Sequence, residues 1–203
     1  AIPLANLDEG RRIMKRIRNF AGLHQSEINH LAQYLHKTTK DANVTNDRKN
    51  QSVFETTIRD KPLIVKRYIH RTLKHRLASF TGQGNADRYC SVTNYLGHHG
   101  LSVPTPILLF KTGPNLLPER TLYVMERLDG EMLNHLLPSI ESEPERLVTV
   151  ARAVSELILK LRQAGVVHRD LNTKNFLVST DNKIHLIDFD YASRHQTRGR
   201  RFA

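Results

Sequence analysis

The 203-residue sequence contains no tryptophan and a single cysteine, and aromatic residues make up only 6% of it. One thiol cannot form an intrachain disulfide, and it cannot supply a cysteine-based zinc site. No apolar run approaches the roughly 20 residues that span a bilayer, and the first residues lack the long apolar stretch of a secretory signal. We therefore expect an intracellular protein in a reducing compartment.

Basic residues are in excess, with 31 Lys and Arg against 20 Asp and Glu and a formal net charge of +11. This balance favours an anionic partner, such as nucleic acid, an anionic membrane surface or a phosphorylated small molecule. Simple solubility is the alternative interpretation. The basic residues form three clusters, which span residues 11–18, 66–76 and 194–201.

Residues 1–40 are predicted to form an N-terminal helical extension. Over residues 8–20 apolar side chains recur on one helical face, namely Ile13, Met14, Ile17 and Phe20. A second helix is predicted to start at Ser26, because the apolar residues that follow it have the same spacing.

The rest of the chain is predicted to be strand-rich at first and helical later. Residues 41–126 form a strand-rich N-terminal lobe in this prediction, and residues 127–203 form a helical C-terminal lobe. The predicted elements are a turn over 43–50, strands over 52–58, 63–68, 107–110 and 122–125, helices over 86–98 and 144–163, and a hairpin of 176–178 with 183–188. The predicted fold class is therefore α+β.

Two polar motifs carry the strongest functional signal. The first, HRDLNTKN, spans residues 168–175 and follows the long predicted helix; the second, IDFD, spans residues 187–190 and ends the predicted hairpin. This order is typical of a protein-kinase-like catalytic loop followed by a metal-binding turn.

The residue types in these motifs suit phosphoryl transfer. A carboxylate must accept the proton of the attacking hydroxyl, and Asp170 is the candidate catalytic base. Mg²⁺ needs hard oxygen ligands, and Asn175 and Asp188 are the candidate metal ligands. The alternative is that all three are ordinary polar loop residues.

Three upstream residues are candidates for nucleotide binding. Lys66 ends the apolar run LIV, as does the strand lysine that contacts ATP phosphates in kinases. The segment YVMERLDG is similar to a kinase hinge, where the backbones of Glu126 and Leu128 would bind the adenine edge. A glycine-rich loop is missing, since residues 43–52 contain no glycine. An acidic helix partner for Lys66 is not evident; Asp87 is the nearest carboxylate, and a solvated helix-start residue is the alternative.

At these motifs the sequence resembles the bacterial lipopolysaccharide kinases, which include the 3-deoxy-D-manno-octulosonic acid (Kdo) kinases and the core heptose kinases. The resemblance runs over about residues 53–192, and its carriers are HRDLNTKNFLV, HLIDFD, LIVKRY and LGHHGLSVPTP. The combination of the first two motifs looks most like the Kdo kinases. The resemblance implies a protein-kinase-like two-lobe fold, ATP and Mg²⁺, and a lipid A-linked core sugar as acceptor. It also implies a peripheral location on the cytoplasmic face of the inner membrane, which the basic clusters would contact.

Only 13 residues follow Asp190, so we expect a reduced or truncated C-terminal lobe. Either the chain is truncated, or the acceptor is something other than a docked peptide. An atypical small protein kinase, such as one serving an RNA-modification complex, is the alternative enzyme. A catalytically inactive kinase-like binding module is an alternative from another class, because the glycine-rich loop is missing. The basic clusters lack interleaved aromatic residues, which argues against a nucleic-acid binder.

Overall fold

The computed structural model describes residues 13–35, 44–48, 50–114 and 117–194, with the backbone alone for 13–15, 44–48 and 114. The strands are β1 Ile13–Asn19, β2 Val44–Arg48, β3 Gln51–Ile58, β4 Lys61–Ile69, β5 Pro106–Pro114, β6 Arg120–Glu126, β7 Glu131–Met132, β8 Val166–Val167, β9 Phe176–Val178, β10 Ile184–Leu186 and β11 Ser193–Arg194. The helices are α1 Gln25–Ala32, α2 Leu73–Phe80, α3 Asn85–His98, α4 Leu133–Ile140 and α5 Pro144–Gln163.

The chain divides into two compact units. The first unit is Ala1–Cys90 with Pro106–Arg127, and the second is Ser91–Thr105 with Leu128–Ala203. The mixture of antiparallel sheets and helices confirms the predicted α+β class. None of the helices in the described ranges is long and apolar enough to cross a membrane.

The first unit is built on a six-stranded antiparallel sheet with the strand order β1-β5-β6-β4-β3-β2. Successive side chains along a strand point to opposite faces of the sheet, and residues paired across neighbouring strands point to the same face. One row of such partners runs from Phe54 through Val65 and Val124 to Leu108. This row is buried under α1 and the 3₁₀ turn Gln33–Leu35, and the row, the helix and the turn form an apolar core.

The opposite face of this sheet lies against α2 and the part of α3 that belongs to the same unit, residues 85–90. Tyr89 of α3 packs on Tyr123 of β6, with ring centroids 4.9 Å apart. Ser79 of α2 hydrogen-bonds to Thr121 of the same strand over 3.3 Å. The sheet is therefore covered on both faces. The face toward α2 and α3, called the helix-facing side below, is more polar than the face toward α1.

The second unit contains the long helix α5, a three-stranded sheet in the order β10-β9-β7 and the pair β8–β11. Helix α5 buries Val150, Leu157 and Leu161 along one stripe, as its period predicted. The extended segment after α3 is joined to β10, because the amide of Leu186 donates to the carbonyl of Ser102 over 3.0 Å.

Two local predictions are wrong. Residues 13–19 form a strand and not a helix, because the backbone pairs with β5 and Arg16 stacks on the Phe80 ring, 4.3 Å from its centroid. Residues 44–48 form β2 and not a turn, because they pair with β3 at the sheet edge. Both segments obtain their conformation from partners distant in sequence, which local periodicity does not contain. Part of the basic clusters 11–18 and 194–201 lies outside the described residues.

Candidate active site

The HRDLNTKN segment leaves β8 and is fixed by its buried histidine. His168 donates through Nε2 to the carbonyl of Ile187 over 3.1 Å, and its ring meets Phe189 edge-on at 4.9 Å. Burial lowers the pKa of His168, which favours the neutral imidazole. His168 thus joins the HRD loop to the IDFD turn, and a structural role follows from these contacts.

Asp170 is held by two neighbouring side-chain amides. Asn172 Nδ2 donates to Asp170 Oδ1 over 2.8 Å, while Asn175 Nδ2 donates to the Asp170 carbonyl over 2.8 Å and to Oδ2 over 3.2 Å. Asn172 also caps the 3₁₀ turn Thr173–Asn175, since its Oδ1 accepts from the Lys174 amide. Each carboxylate oxygen of Asp170 therefore has a donor, and the carboxylate plane is fixed relative to the loop.

Asp188 directly follows Ile187, which is hydrogen-bonded to the HRD loop. The amide of Ile187 donates to the carbonyl of Asn175 over 2.9 Å. Asp188 has φ 63° and Arg169 has φ 65°, both in the left-handed region. Such conformations cost about 1–3 kcal/mol each for non-glycine residues and cluster at functional sites. The second unit thus brings Asp170, Asn175 and Asp188 into two adjoining segments.

The donor set in these segments fits a magnesium ion bound together with phosphates. Because Asn175 directs its amide nitrogen to Asp170, its Oδ1 is the atom that can bind a cation, and Asp188 offers a carboxylate. The described residues contain no group of three or more His, Cys, Asp or Glu that could hold a metal by itself. Mg²⁺ commonly binds through one or two protein ligands with substrate phosphates and water completing the shell.

Lys66 lies in the first unit, on the helix-facing side of β4. Its ammonium lies 4.6 Å from the centroid of the Tyr89 ring, and its cross-strand partner on β6 is Tyr123. Asp87, the carboxylate considered as its partner, instead binds Lys111 of β5 through both oxygens at 2.6 and 2.7 Å. Helix α3 therefore offers Lys66 an aromatic contact through Tyr89.

The predicted hinge residues lie at the junction between the two units along the chain. Glu126 ends β6 with an exposed side chain and pairs with Leu63 of β4. The next amide, that of Arg127, donates to the carbonyl of Pro62 over 3.1 Å. Leu128 is the first residue of the second unit's second segment.

Three features of the site were not predicted from the sequence. Asn172 could have been found, because an Asn two residues after the aspartate is a turn-capping residue type. The Tyr89 contact and the Asp87–Lys111 pair left no local signal, since each depends on how α3 packs on the sheet.

Comparison with known proteins identifies the family. The model of the lipopolysaccharide kinase (Kdo/WaaP) family matches residues 37–203, which is more than half of the chain. This range includes Lys66 and both polar motifs. The match confirms the resemblance drawn from the motifs.

Curated relatives include a protein kinase and two proteins with other names. The chain is 42% identical over 76 residues to KEOPS complex subunit Bud32 of Pyrococcus abyssi, covering 37% of this chain and 33% of that protein. It is 32% identical over 128 residues to a probable bifunctional tRNA threonylcarbamoyladenosine biosynthesis protein of Methanoculleus marisnigri, covering 63% and 20%. It is 29% identical over 79 residues to serine/threonine-protein kinase PAK 5 of Rattus norvegicus, covering 39% and 11%.

The chain thus spans a third or less of the length of these three relatives. The similarity to a serine/threonine-protein kinase agrees with the order of HRD loop and IDFD turn in the second unit. The chain belongs to the lipopolysaccharide kinase (Kdo/WaaP) family, and its fold is protein-kinase-like.

Proposed function

We propose that the protein transfers the γ-phosphoryl group of ATP to a sugar hydroxyl of the lipopolysaccharide inner core, and that the sugar is a Kdo residue on a lipid A precursor. The observation that carries this proposal is the fixed Asp170 carboxylate, which accepts hydrogen bonds from Asn172 and Asn175 within the family-matched segment. A carboxylate oriented in this way suits the acceptance of a hydroxyl proton.

In the proposed reaction the acceptor hydroxyl oxygen attacks the γ-phosphorus while its proton passes to Asp170. A new P–O bond forms, the bond to the β-phosphate oxygen breaks, and ADP leaves. The paired amides of Asn172 and Asn175 orient the carboxylate so that little reorganisation is needed. Mg²⁺, held by Asn175 and Asp188, would neutralise phosphate charge when bound.

The nucleotide-binding part of the proposal uses residues of the segment 63–128. Lys66 would contact the phosphates, a role supported by its buried position beside two tyrosines. The backbones of Glu126 and Leu128 would bind the adenine edge, and the residue preceding them, Met125, is buried.

A radiolabelled-ATP assay with a Kdo-bearing lipid A precursor tests the function directly. Wild-type protein should label the glycolipid, and Asp170→Ala should lower the rate by about 10² or more, because a positioned general base contributes that much. Asp181→Asn, in the exposed turn between β9 and β10, is the matched control and should keep the wild-type rate. Absence of label with wild type, or an unchanged rate with Asp170→Ala, would contradict the proposal.

A second candidate function is that of an atypical small protein kinase. The observation that favours it is the 42% identity to Bud32 over 76 residues. The same assay separates the two candidates when protein and lipid fractions are counted separately. Label on protein with none on the glycolipid would support the protein kinase; label on the glycolipid would support the sugar kinase.

A further inference from the structure

Two buried lysines share the helix-facing side of the first unit's sheet. Lys66, Tyr123 and Leu109 form one row of cross-strand partners, and Lys111 with Thr121 belongs to the next row. Partners in a row point to the same face. Both ammonium groups therefore point toward the layer that α3 occupies.

The second of these lysines anchors the first turn of α3. The Lys111 and Asp87 side chains are 7% and 3% exposed, and the ammonium binds both carboxylate oxygens of Asp87. The same ammonium donates to the carbonyl of Ser79 near the end of α2 over 2.5 Å. One charged group thus joins β5, α2 and α3, and the start of α3 is fixed relative to the sheet.

Two residues further along α3, Tyr89 covers the first lysine. Tyr89 is 1% exposed, and its ring lies 4.6 Å from the Lys66 ammonium and 4.9 Å from the Tyr123 ring. A cation over an aromatic face is attracted by the ring quadrupole, and more strongly when water is excluded. The ring therefore restricts where the Lys66 ammonium can lie.

We propose that Tyr89 is the positioning residue for Lys66, and that the Asp87–Lys111 ion pair fixes α3 so that the Tyr89 ring meets the ammonium. The inference rests on the proposed role of Lys66 toward the ATP phosphates. The Tyr89 ring holds the Lys66 ammonium in a narrow range of positions. A preorganised ammonium loses less freedom when phosphates bind.

The test measures the Kd of Mg-ATP by calorimetry and needs no sugar acceptor, so it is separate from the test of the acceptor. Tyr89→Leu should weaken ATP binding about threefold to thirtyfold, the range of a desolvated cation–aromatic contact. Tyr89→Phe keeps the ring, so its Kd for Mg-ATP should stay within about twofold of the wild-type value. Tyr34→Leu is the matched control, since Tyr34 is a buried tyrosine on the other face of the same sheet.

The decisive measurement repeats Tyr89→Leu in a Lys66→Ala background. If the ring acts through Lys66, the second substitution should change the Kd by less than about twofold there. An equal loss in both backgrounds, or an equal loss with Tyr34→Leu, would indicate general loosening and would overturn the inference. An unchanged Kd with Lys66→Ala would also overturn it. Tyr89→Met, whose unbranched side chain adapts to irregular space in a core, repeats the cycle if Tyr89→Leu does not fold.

Discussion

His70 is a buried histidine at the end of β4, between the sheet and α2. Its Nε2 atom lies 2.8 Å from the hydroxyl oxygen of Thr121 in a hydrogen bond. Burial, together with smaller contributions from the nearby positive charges of Lys111, His75 and Arg76, lowers the pKa of His70 to about 4. The folded protein therefore keeps this imidazole neutral at pH values where an unfolded chain would protonate it.

We predict that His70 makes the protein less stable in mild acid. Between pH 6.5, near the unfolded value, and pH 4 the unfolded chain binds a proton that the folded chain does not. The stability is thus complete above about pH 6.5 and falls as the pH decreases, by about 3 kcal/mol at most from this group. Urea unfolding at several pH values should show a smaller acid loss for His70→Gln.

The control for this prediction is His98→Gln, at the exposed end of α3. This variant should lose as much free energy of unfolding between pH 6.5 and 4 as the wild type does. The same pH dependence in wild type and His70→Gln would contradict the assignment.

At the residue scale, the sequence predicted the polar groups of the candidate site better than their surroundings. Asp170 and Asn175 lie five positions apart on one short loop, so their closeness follows from the chain itself. Tyr89 and Lys66 are separated by 23 positions, and their contact depends on the packing of α3 against β4. No local pattern in the sequence contains that packing.

At the element scale, the buried pair Asp87–Lys111 joins α2, α3 and β5. We predict that Lys111→Met lowers the free energy of unfolding by about 3–5 kcal/mol, because it leaves a buried carboxylate without its cation. The double variant Lys111→Met/Asp87→Asn should lose less than the single variant, since the uncompensated charge is gone. Urea unfolding measures both values.

An exposed ion pair in the same unit provides the comparison. Arg127 and Glu55 are 46% and 38% exposed and lie 3.5 Å apart. Arg127→Met should cost less than about 1 kcal/mol, as exposed pairs do. Similar losses for Arg127→Met and Lys111→Met would show that burial of the Asp87–Lys111 pair is energetically unimportant.

Elements with a clear internal period could be predicted, while those that depend on distant partners could not. The stripe of apolar residues in α5 gave its bounds of 144 and 163 correctly. Over residues 13–20 the same kind of period predicted a helix, yet the segment is β1, because the edge of β5 supplies hydrogen bonds and Phe80 receives Arg16. The spacing of Ile13, Ile17 and Phe20 was compatible with a helix but did not require one.

At the scale of the whole molecule, the protein has a net charge of +11, and its helix α2 also exposes apolar side chains. Leu73 and Leu77 are 62% and 46% exposed, one helical turn apart, and Lys74 lies beside them in the sequence. Neighbouring basic and apolar groups on one helix are typical of surfaces that contact anionic lipid. A lipid-linked acceptor would require such a contact.

We predict salt-sensitive binding of the protein to vesicles that contain anionic lipid, and weak binding to neutral phosphatidylcholine vesicles. Salt should weaken it, because the Debye length shrinks from about 10 Å at 0.1 M to about 3 Å at 1 M. In a sedimentation assay Leu73→Ser/Leu77→Ser should weaken binding about tenfold, since two leucines lose their burial in the lipid.

The control pair Val148→Ser/Leu159→Ser removes apolar residues on α5 that are 56% and 54% exposed, and it should leave binding unchanged. Equal binding to both kinds of vesicle, or an equal loss with the α5 pair, would exclude α2 as the membrane-contacting surface.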